Sequence, residues 1–321
     1  MGRYLLRRVL VSLFLVWVVL TATFVVLHAA PGDPTERFAD PRVPRAQLAE
    51  LRALYGLDRP LPVQYVAWLA ATVRFDWGLS FQHQRPVRTV VAERLPATLL
   101  LGAAAFSVQL VVGLALGIFA ARRPNSLGDH ATRVVSLALY SLPGFWLAVM
   151  LSLLLTGILP VFPSGGMTST FARDWSILHR LLDLLAHLAL PALALGLPLA
   201  APVARLLRTG LIEELSKDYI LAARARGLSE RAVFLRALRG AAAPLVQVAG
   251  LTLPALLGGS VVIEHVFSWP GLGATAYDGI LARDYPLVLA ATAFTAGLVV
   301  AGNLVADVVL AALDPRVIER A

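Results

Sequence analysis

The residue types that catalyse reactions are few in this chain and do not occur at catalytic spacings. The only lysine, Lys217, follows Ser216 instead of the glycine of a P-loop, so that route to ATP hydrolysis is absent. The sequence contains no HExxH for a zinc peptidase and no GxSxG for a serine hydrolase. It contains no cysteine, which excludes disulfides, thiolate metal sites and cysteine catalysis. We therefore expect no enzymatic activity, and no catalytic, cofactor or metal site in the chain itself.

Ionisable side chains are also scarce in the long apolar runs, where an ion-coupled carrier would need them. Glu264 and Asp307 fall at the ends of runs, where we expect interfacial positions with the charge directed to water. His187 is better explained as a hydrogen-bonded core or cavity histidine than as a ligand. The polar side chains of note inside the runs are Gln109, His187, Gln247 and Asn303. This pattern favours a passive pathway energised by another protein over ion-coupled transport.

The composition is that of a polytopic membrane protein. Of the 321 residues, 58% are hydrophobic and 15% are charged, whereas about a quarter are charged in a typical soluble domain. A helix needs roughly 20 apolar residues to cross the hydrocarbon core of a bilayer. Six runs of at least 21 residues lack Asp, Glu, Lys and Arg: 9–30, 96–121, 134–172, 184–204, 241–263 and 286–306. We predict an all-α protein with six transmembrane helices, the third ending before Pro160, Pro163, Gly165 and Gly166.

The distribution of positive charge orients these spans. Arg3, Arg7 and Arg8 precede the first run, and eight Lys or Arg residues lie between the fourth and fifth runs. The positive-inside rule places such segments, and with them both termini, in the cytoplasm. The net charge of +8 follows the predicted topology, so we expect no nucleic-acid partner. The predicted domains are a cytoplasmic N-terminus with the first span (1–30), an external helical insertion (31–95), and a five-helix core (96–321) with a cytoplasmic loop at 210–240.

The external insertion is predicted to contain two short amphipathic helices within residues 44–75. The first ends at Gly56, because glycine commonly follows the last turn of a helix, and the second begins at Pro62. A turn at residues 76–78 follows, and we expect the chain to re-enter the membrane at Pro96.

The cytoplasmic loop has two apolar faces at helical spacing, separated by a glycine. The first face consists of Ile212, Leu215, Tyr219 and Ala223. Gly227 is expected to end that helix and Ser229 to cap the next one. The second face consists of Phe234, Ala237, Leu238 and Ala241, with Arg231, Arg236 and Arg239 directed elsewhere. Such a loop fits either a docking element for a soluble protein or a basic helix bound to anionic lipid.

The same residues resemble a known motif. Leu221-Ala222-Ala223-x-x-x-Gly227 is similar to the cytoplasmic EAA loop of ABC importer permeases, with Leu221 in the place of the glutamate. The run from Tyr219 to Leu228, followed by Ala237-Leu238-Arg239 and Pro244, resembles the dipeptide/oligopeptide and nickel branch, in which asparagine usually stands at the position of Gly240. Further matches occur in order along the chain: Pro31-Gly32-Asp33-Pro34, Tyr55-Gly56-Leu57-Asp58, Trp77-Gly78-Leu79-Ser80, Arg94-Leu95-Pro96-Ala97-Thr98, Asp129-His130, Ser141-Leu142-Pro143, Leu190-Pro191-Ala192, Trp269-Pro270-Gly271, Arg283-Asp284-Tyr285-Pro286 and Asp314-Pro315-Arg316.

The resemblance implies a fold, a set of partners and two sites. It implies a B-type subunit with the type I ABC importer permease fold, in a bacterial-type plasma membrane. The implied partners are a C-type permease, two ATPase subunits that bind ATP and Mg, and an external binding protein. The external mouth would include Trp269, Pro270 and Gly271, where tryptophan suits a membrane interface and Pro-Gly a tight turn. The ATPase-coupling residues would be Leu221, Ala222, Ala223, Arg224, Arg226, Gly227 and Leu228.

Other functions remain compatible with the sequence. Importers of nickel, glutathione, haem or oligosaccharide share the scaffold that the resemblance implies for a peptide importer. A stand-alone ion-coupled carrier would transport without ATP, and a structural or signalling membrane protein would not transport at all.

Overall fold

The described chain is built almost entirely of helices. The structure is a computed structural model that describes residues 2–29, 58–257 and 261–313. The helices are α1 Gly2–Ala29, α2 Leu61–Val73, α3 Val87–Arg122, α4 Leu127–Ser141, α5 Gly144–Ser152, α6 Ile177–Leu215, α7 Asp218–Ala225, α8 Glu230–Leu257, α9 Val261–Val266, α10 Leu272–Leu281 and α11 Tyr285–Leu313. A π-helical stretch, Leu153–Ile158, continues α5. The continuous helix Gly144–Ile158 therefore ends before Pro160, as predicted for the third span.

Within the described residues, four helices are long and apolar enough to cross a membrane, namely α1, α3, α6 and α11. Two further candidate spans are bent. One bends by 102° between α4 and the helix Gly144–Ile158, and the other by 43° within α8 near Pro244. Counting each bent pair as one span gives six, in agreement with the predicted fold class. The sharper bend has a local cause. Leu142 precedes Pro143, which disfavours helical backbone at that position, and its ψ of 133° is extended.

Helices α3 and α6 form the most extensive packed pair in the described chain. Glycines allow their backbones to approach closely. A Cβ added at Gly113 would lie 2.7 Å from Val203 Cβ, and one added at Gly196 would lie 2.5 Å from the Ala105 carbonyl oxygen. Helix α6 remains helical through Pro191, Pro198 and Pro202. This proline-containing span therefore packs closely against α3.

The segment before α3 differs from the prediction in one respect. Helix α2 confirms the second amphipathic helix, whereas the one predicted to end at Gly56 lies outside the described residues. Gly78 turns the chain with φ +73°. Helix α3 then begins at Val87, well before Pro96, where we expected the chain to re-enter the membrane. Helical structure therefore extends through the charged residues Arg88, Glu93 and Arg94, which charge-free runs omit by definition.

Buried apolar side chains form three clusters. One contains Leu101, Leu190, Phe267 and Trp269 and joins α3, α6 and the end of α9. A second lies where α6, α7 and α8 meet and includes Leu207, Leu211, Ile220, Ala223, Val233 and Ala237. The third packs the start of α3 against α10 and α11 through Val87, Leu272 and Leu287. The second cluster supports the segment that joins α6 to α8, and the first and third clusters flank the segment around Glu264.

Candidate functional site

The first candidate site is the segment that joins α6 to α8, residues 216–229. Helix α6 ends at Leu215, because Ser216 Oγ donates to the Glu213 carbonyl at 2.7 Å while the Ser216 and Lys217 amides bond back to Glu213 and Glu214. The prediction of one uninterrupted apolar face from Ile212 to Ala223 is therefore wrong. Serine and the following lysine stop one helix, and α7 starts in a new direction at Asp218.

The end of α7 follows the predicted glycine turn. Gly227 has φ +76°, in the left-handed region that residues with a side chain rarely adopt. The Leu228 amide donates to the Ala223 carbonyl at 3.2 Å and the Gly227 amide to the Arg224 carbonyl at 2.9 Å, which is the Schellman pattern. Ser229 Oγ then accepts from the Ala232 amide at 3.4 Å, at the start of α8. The predicted helix stop and N-cap are both confirmed.

The predicted coupling residues fall on two faces of α7. Ala223 is fully buried together with Ile220, against α6 and α8. Leu221 is 55% exposed, and Ala222 lies beside it on the same outward face. This helix therefore anchors one face in the bundle and presents the other, which contains a large apolar side chain. Arg224, Arg226 and Gly227 are exposed, while Leu228 is half-buried.

The two exposed arginines of the turn are held close to the backbone. Arg224 pairs with Glu230 across the turn at 3.0 Å, and Arg226 Nε donates to the Ala222 carbonyl at 3.2 Å. The arginines of α8 point away from the second cluster, as predicted, because Arg231, Arg236 and Arg239 are exposed.

Glu214 fixes the angle between α6 and α7. Its carboxylate accepts hydrogen bonds from Lys217 Nζ and Tyr219 Oη, so the end of one helix is attached to the start of the next. This hydrogen bond to the Glu214 carboxylate, together with burial, raises the pKa of Tyr219 above its ordinary value. A Cβ at Gly240 would lie 2.7 Å from the same carboxyl group. Gly240, which replaces the asparagine usual in the resembled branch, thus leaves room for Glu214.

A second ion pair attaches α4 to α6 near this segment. Arg208 Nε and Nη2 donate to the two oxygens of Asp129 at 2.6 and 2.7 Å, a bidentate arrangement. The Asp129 carboxylate is fully buried and also accepts from the Asn125 amide at 2.8 Å. Asp129 belonged to a matched string, but its partner was not predicted. Arg208 lies 79 residues from Asp129 in the sequence, and no sequence pattern distinguishes it from the other arginines as the partner of this aspartate.

The second candidate site surrounds Glu264 at the opposite ends of α3 and α6. Glu264 Oε1 accepts from Thr98 Oγ1 at 2.9 Å and Oε2 from the Ala274 amide at 2.7 Å. Its side chain is fully buried. The predicted interfacial position with the charge directed to water is therefore wrong. A Cβ at Gly271 would lie 2.2 Å from the carboxyl carbon, so glycine at that position makes room for this group.

The residues predicted for the external mouth lie beside Glu264. Trp269 is fully buried and donates from Nε1 to the Ala97 carbonyl at 2.9 Å, so the expectation of a membrane-interface tryptophan is wrong. The ring fills the first cluster instead, where its N–H has a backbone acceptor. The predicted tight turn is confirmed by a 2.7 Å bond from the Gly271 amide to the Trp269 carbonyl, and Pro270 is half-buried within it.

Two further carboxylates hold neighbouring segments in place. Asp284 accepts from Ser80 Oγ at 2.5 Å and from the Gln82 amide at 2.9 Å, which fixes the loop before α3 to the start of α11. Asp183 accepts from the Ser169 amide at 2.8 Å, and its carbonyl contacts His187 Nδ1 at 2.8 Å. His187 is thus the hydrogen-bonded core histidine that we expected. Within the described ranges, no three His, Asp or Glu side chains are grouped to hold a metal ion.

Comparisons with known proteins agree with this architecture. Residues 113–319 match the family model of the binding-protein-dependent transport system inner membrane component, and residues 1–102 match the model of its N-terminal region. The chain is 37% identical over 319 residues to the oligopeptide transport system permease protein AppB of Bacillus subtilis, covering 99% of each chain. It is 36% identical over 319 residues to the dipeptide transport system permease protein DppB of Lactococcus lactis, again covering 99% of each.

A solved structure of the MetNI methionine ABC transporter, in an inward-facing conformation, is similar in fold. The TM-score is 0.50 at 21% identity, over 70% of this chain and 96% of the MetNI chain. The family models and the full-length relatives together define the assignment. This chain belongs to the family of inner membrane components of binding-protein-dependent transport systems.

Proposed function

We propose that the chain is the B-type permease subunit of an ATP-driven importer of short peptides. Relatives that match it over 99% of their length are named for oligopeptide and dipeptide transport. The absence of a P-loop from the sequence means that the energy must come from other subunits. In this proposal the chain forms part of the translocation path and catalyses no reaction itself.

The observation that carries the proposal is the two-sided packing of α7. Ile220 and Ala223 are fully buried between α6 and α8, so a force on α7 acts directly on both long helices. Leu221 and Ala222 on the opposite face are open to a partner. We assign this face to a groove of an ATPase subunit, with Arg224, Arg226, Gly227 and Leu228 completing the contact. Closure of two ATPases on ATP would then tilt α6 and α8.

The proposed assembly has five kinds of component. A C-type permease forms a heterodimer with this chain, two ATPase subunits bind ATP and Mg, an external binding protein delivers the peptide, and the bilayer surrounds the spans. Both termini and α7 lie in the cytoplasm of a bacterial-type cell. Residues 1–30 form the cytoplasmic N-terminus and the first span, 31–95 the external insertion and 96–321 the five-helix core with its coupling loop. The turn at Trp269, Pro270 and Gly271 belongs to the external mouth.

The alternative for the 216–229 segment is a basic helix that binds anionic lipid. One contact and one exposed residue favour the docking role: Arg224 is neutralised by Glu230, and the central exposed residue of α7 is Leu221. A lipid-bound segment would keep its cations available for headgroups.

Reconstitution tests the proposal. We expect ATP-dependent uptake of tripeptides by vesicles that contain this chain, its partner permease, both ATPases and the binding protein. Vesicles that lack the ATPases should show no uptake. Uptake driven by an ion gradient without ATP would contradict the proposal and support a carrier. Appreciable ATP hydrolysis by the chain alone would contradict it as well.

A further inference from the structure

A pocket of about 390 Å³ opens beside Glu264, next to the turn proposed for the external mouth. It lies between α3, α9, α10 and the loop before α3, and its polar lining includes His83, Arg94, His265, Ser268 and Asp278. Its volume falls within the range of about 300–1,000 Å³ in which small-molecule sites occur.

Two of the titratable side chains that line this pocket, Glu264 and His265, already have contacts within the fold. The Glu264 carboxylate is bonded to Thr98 and Ala274, and Arg85 outside the pocket pairs with Glu93. The His265 ring packs edge-on against Tyr277, with ring centroids 5.1 Å apart. These groups are therefore occupied by contacts that the fold itself supplies.

Arg94 and Asp278 differ from their neighbours. Arg94 Nε is buried and, within the described residues, has no hydrogen-bond partner. The Asp278 carboxylate on α10 is exposed at the pocket opening and, in that same part of the chain, accepts no hydrogen bond and forms no ion pair, with Arg94 or any other residue. A buried N–H without an acceptor is costly, so a ligand that provides an oxyanion would be stabilised there. One cation and one anion, both without partners, therefore line a single pocket.

We propose that this pocket binds the two charged termini of a short peptide. The proposal rests on the peptide-importer function and adds a substrate site within the permease. Arg94 binds the C-terminal carboxylate, since a guanidinium fork matches a carboxylate in geometry. Asp278 binds the N-terminal ammonium. A simple anion would satisfy Arg94 alone and leave Asp278 unpaired, whereas a zwitterion satisfies both.

Occupancy of the pocket can be measured directly, because the chain has no cysteine of its own. Ser268 is exposed and lines the pocket, so Ser268→Cys places a single thiol there. Maleimide labelling of this thiol would be followed in the assembled transporter without binding protein, in the presence of trialanine, trialanine amide or N-acetyl-trialanine. Leu235→Cys, an exposed position on α8 outside both the pocket and the 216–229 segment, is the control thiol, which none of the peptides should protect.

Trialanine should slow the labelling of Cys at position 268, and each blocked form should protect on the order of tenfold less, as expected for the loss of a charge-assisted bond. In the Arg94→Gln variant, trialanine and its amide should protect the thiol equally, whereas N-acetyl-trialanine should still protect it less than trialanine does. Asp278→Asn should do the reverse. Arg85→Gln, which removes an arginine outside the pocket, should change nothing.

Equal protection by trialanine, its amide and its N-acetyl form would overturn the proposal. The absence of protection in a transporter that imports trialanine would overturn it as well. Protection of equal strength in Arg94→Gln, Asp278→Asn and the parent would also overturn it. Failure of the complete transporter to import any peptide would instead refute the peptide-importer function. The two ideas can therefore fail separately.

Discussion

Single residues in this chain are constrained by space as much as by charge. Gly271 lies so close to Glu264 that a methyl group there would overlap the carboxylate, which itself accepts bonds from Thr98 and Ala274. Glu264 therefore connects α3, α9 and α10 through one buried group. The sequence alone suggested an interfacial glutamate, because its position at the end of an apolar run does not reveal donors on other helices.

The first prediction concerns that contact. Gly271→Ala should destabilise the protein by about 1–3 kcal/mol, because an extra methyl in a packed site forces neighbours apart. Gly297→Ala in α11 is the matched control, because a Cβ there would meet no atom within 4 Å. Thermal unfolding in detergent would compare the two. Equal melting temperatures would contradict the close packing of Glu264 against Gly271.

A second prediction concerns the turn at Gly227. Alanine at φ +76° costs on the order of 1 kcal/mol, because a Cβ crowds the backbone in the left-handed region. We expect Gly227→Ala to loosen the end of α7 and to lower the amount of peptide imported per ATP hydrolysed. Gly227→Pro should lower it further, since proline cannot adopt a positive φ or donate the bond to Arg224. Unchanged transport by Gly227→Pro, with normal amounts in the membrane, would contradict a coupling role.

At the scale of elements, short helices are fixed by polar contacts to long ones. Glu214 connects α6 to α7, Asp129 connects α4 to α6, and Asp284 attaches the loop before α3 to α11. Helix α7 is only eight residues long, so its own helix propensity contributes little to its stability. Its orientation depends instead on the Glu214 contact and on the burial of Ile220 and Ala223.

The third prediction tests the Asp129–Arg208 pair. Removal of one partner leaves a buried charge uncompensated, which costs about 3–5 kcal/mol in general. Because Arg208 is 18% exposed, we expect Asp129→Asn and Arg208→Gln each to cost about 3 kcal/mol. The double variant Asp129→Asn/Arg208→Gln should lose less than the sum of the two. Additive losses in a double-mutant cycle would contradict a direct interaction.

Over the whole molecule, the positions of the spans follow from the apolar pattern of the sequence. The remaining features depend on contacts between residues that are far apart in the sequence. The spans, the end of α7 at Gly227 and the cap at Ser229 are local features, and the sequence predicted them. The break after Leu215 was missed because a serine and a lysine end a helix whose apolar spacing continues beyond it. The buried position of Trp269 was missed because its acceptor, the Ala97 carbonyl, lies 172 residues away.

The packing of α7 provides a physical route for the proposed movement of an ATPase subunit to reach the spans. The cluster that buries Ile220 and Ala223 joins three helices. At the opposite end, the Glu264 contacts hold α3 to α9 and α10, and the first apolar cluster packs α6 against α9. A displacement applied at α7 therefore reaches long helices whose far ends are fixed. This division into a moved end and a held end is the central claim of the account.

The most direct measurement is a cross-link from the exposed face of α7. Leu221→Cys, the only thiol in the chain, would carry a bifunctional reagent in the assembled transporter. We predict an adduct with an ATPase subunit whose yield changes when ATP binds, and no such adduct from Leu235→Cys, an exposed position on α8 outside the segment. Cross-links to lipid alone, or equal yields from both positions with and without ATP, would contradict the claim that α7 receives the movement of the ATPase.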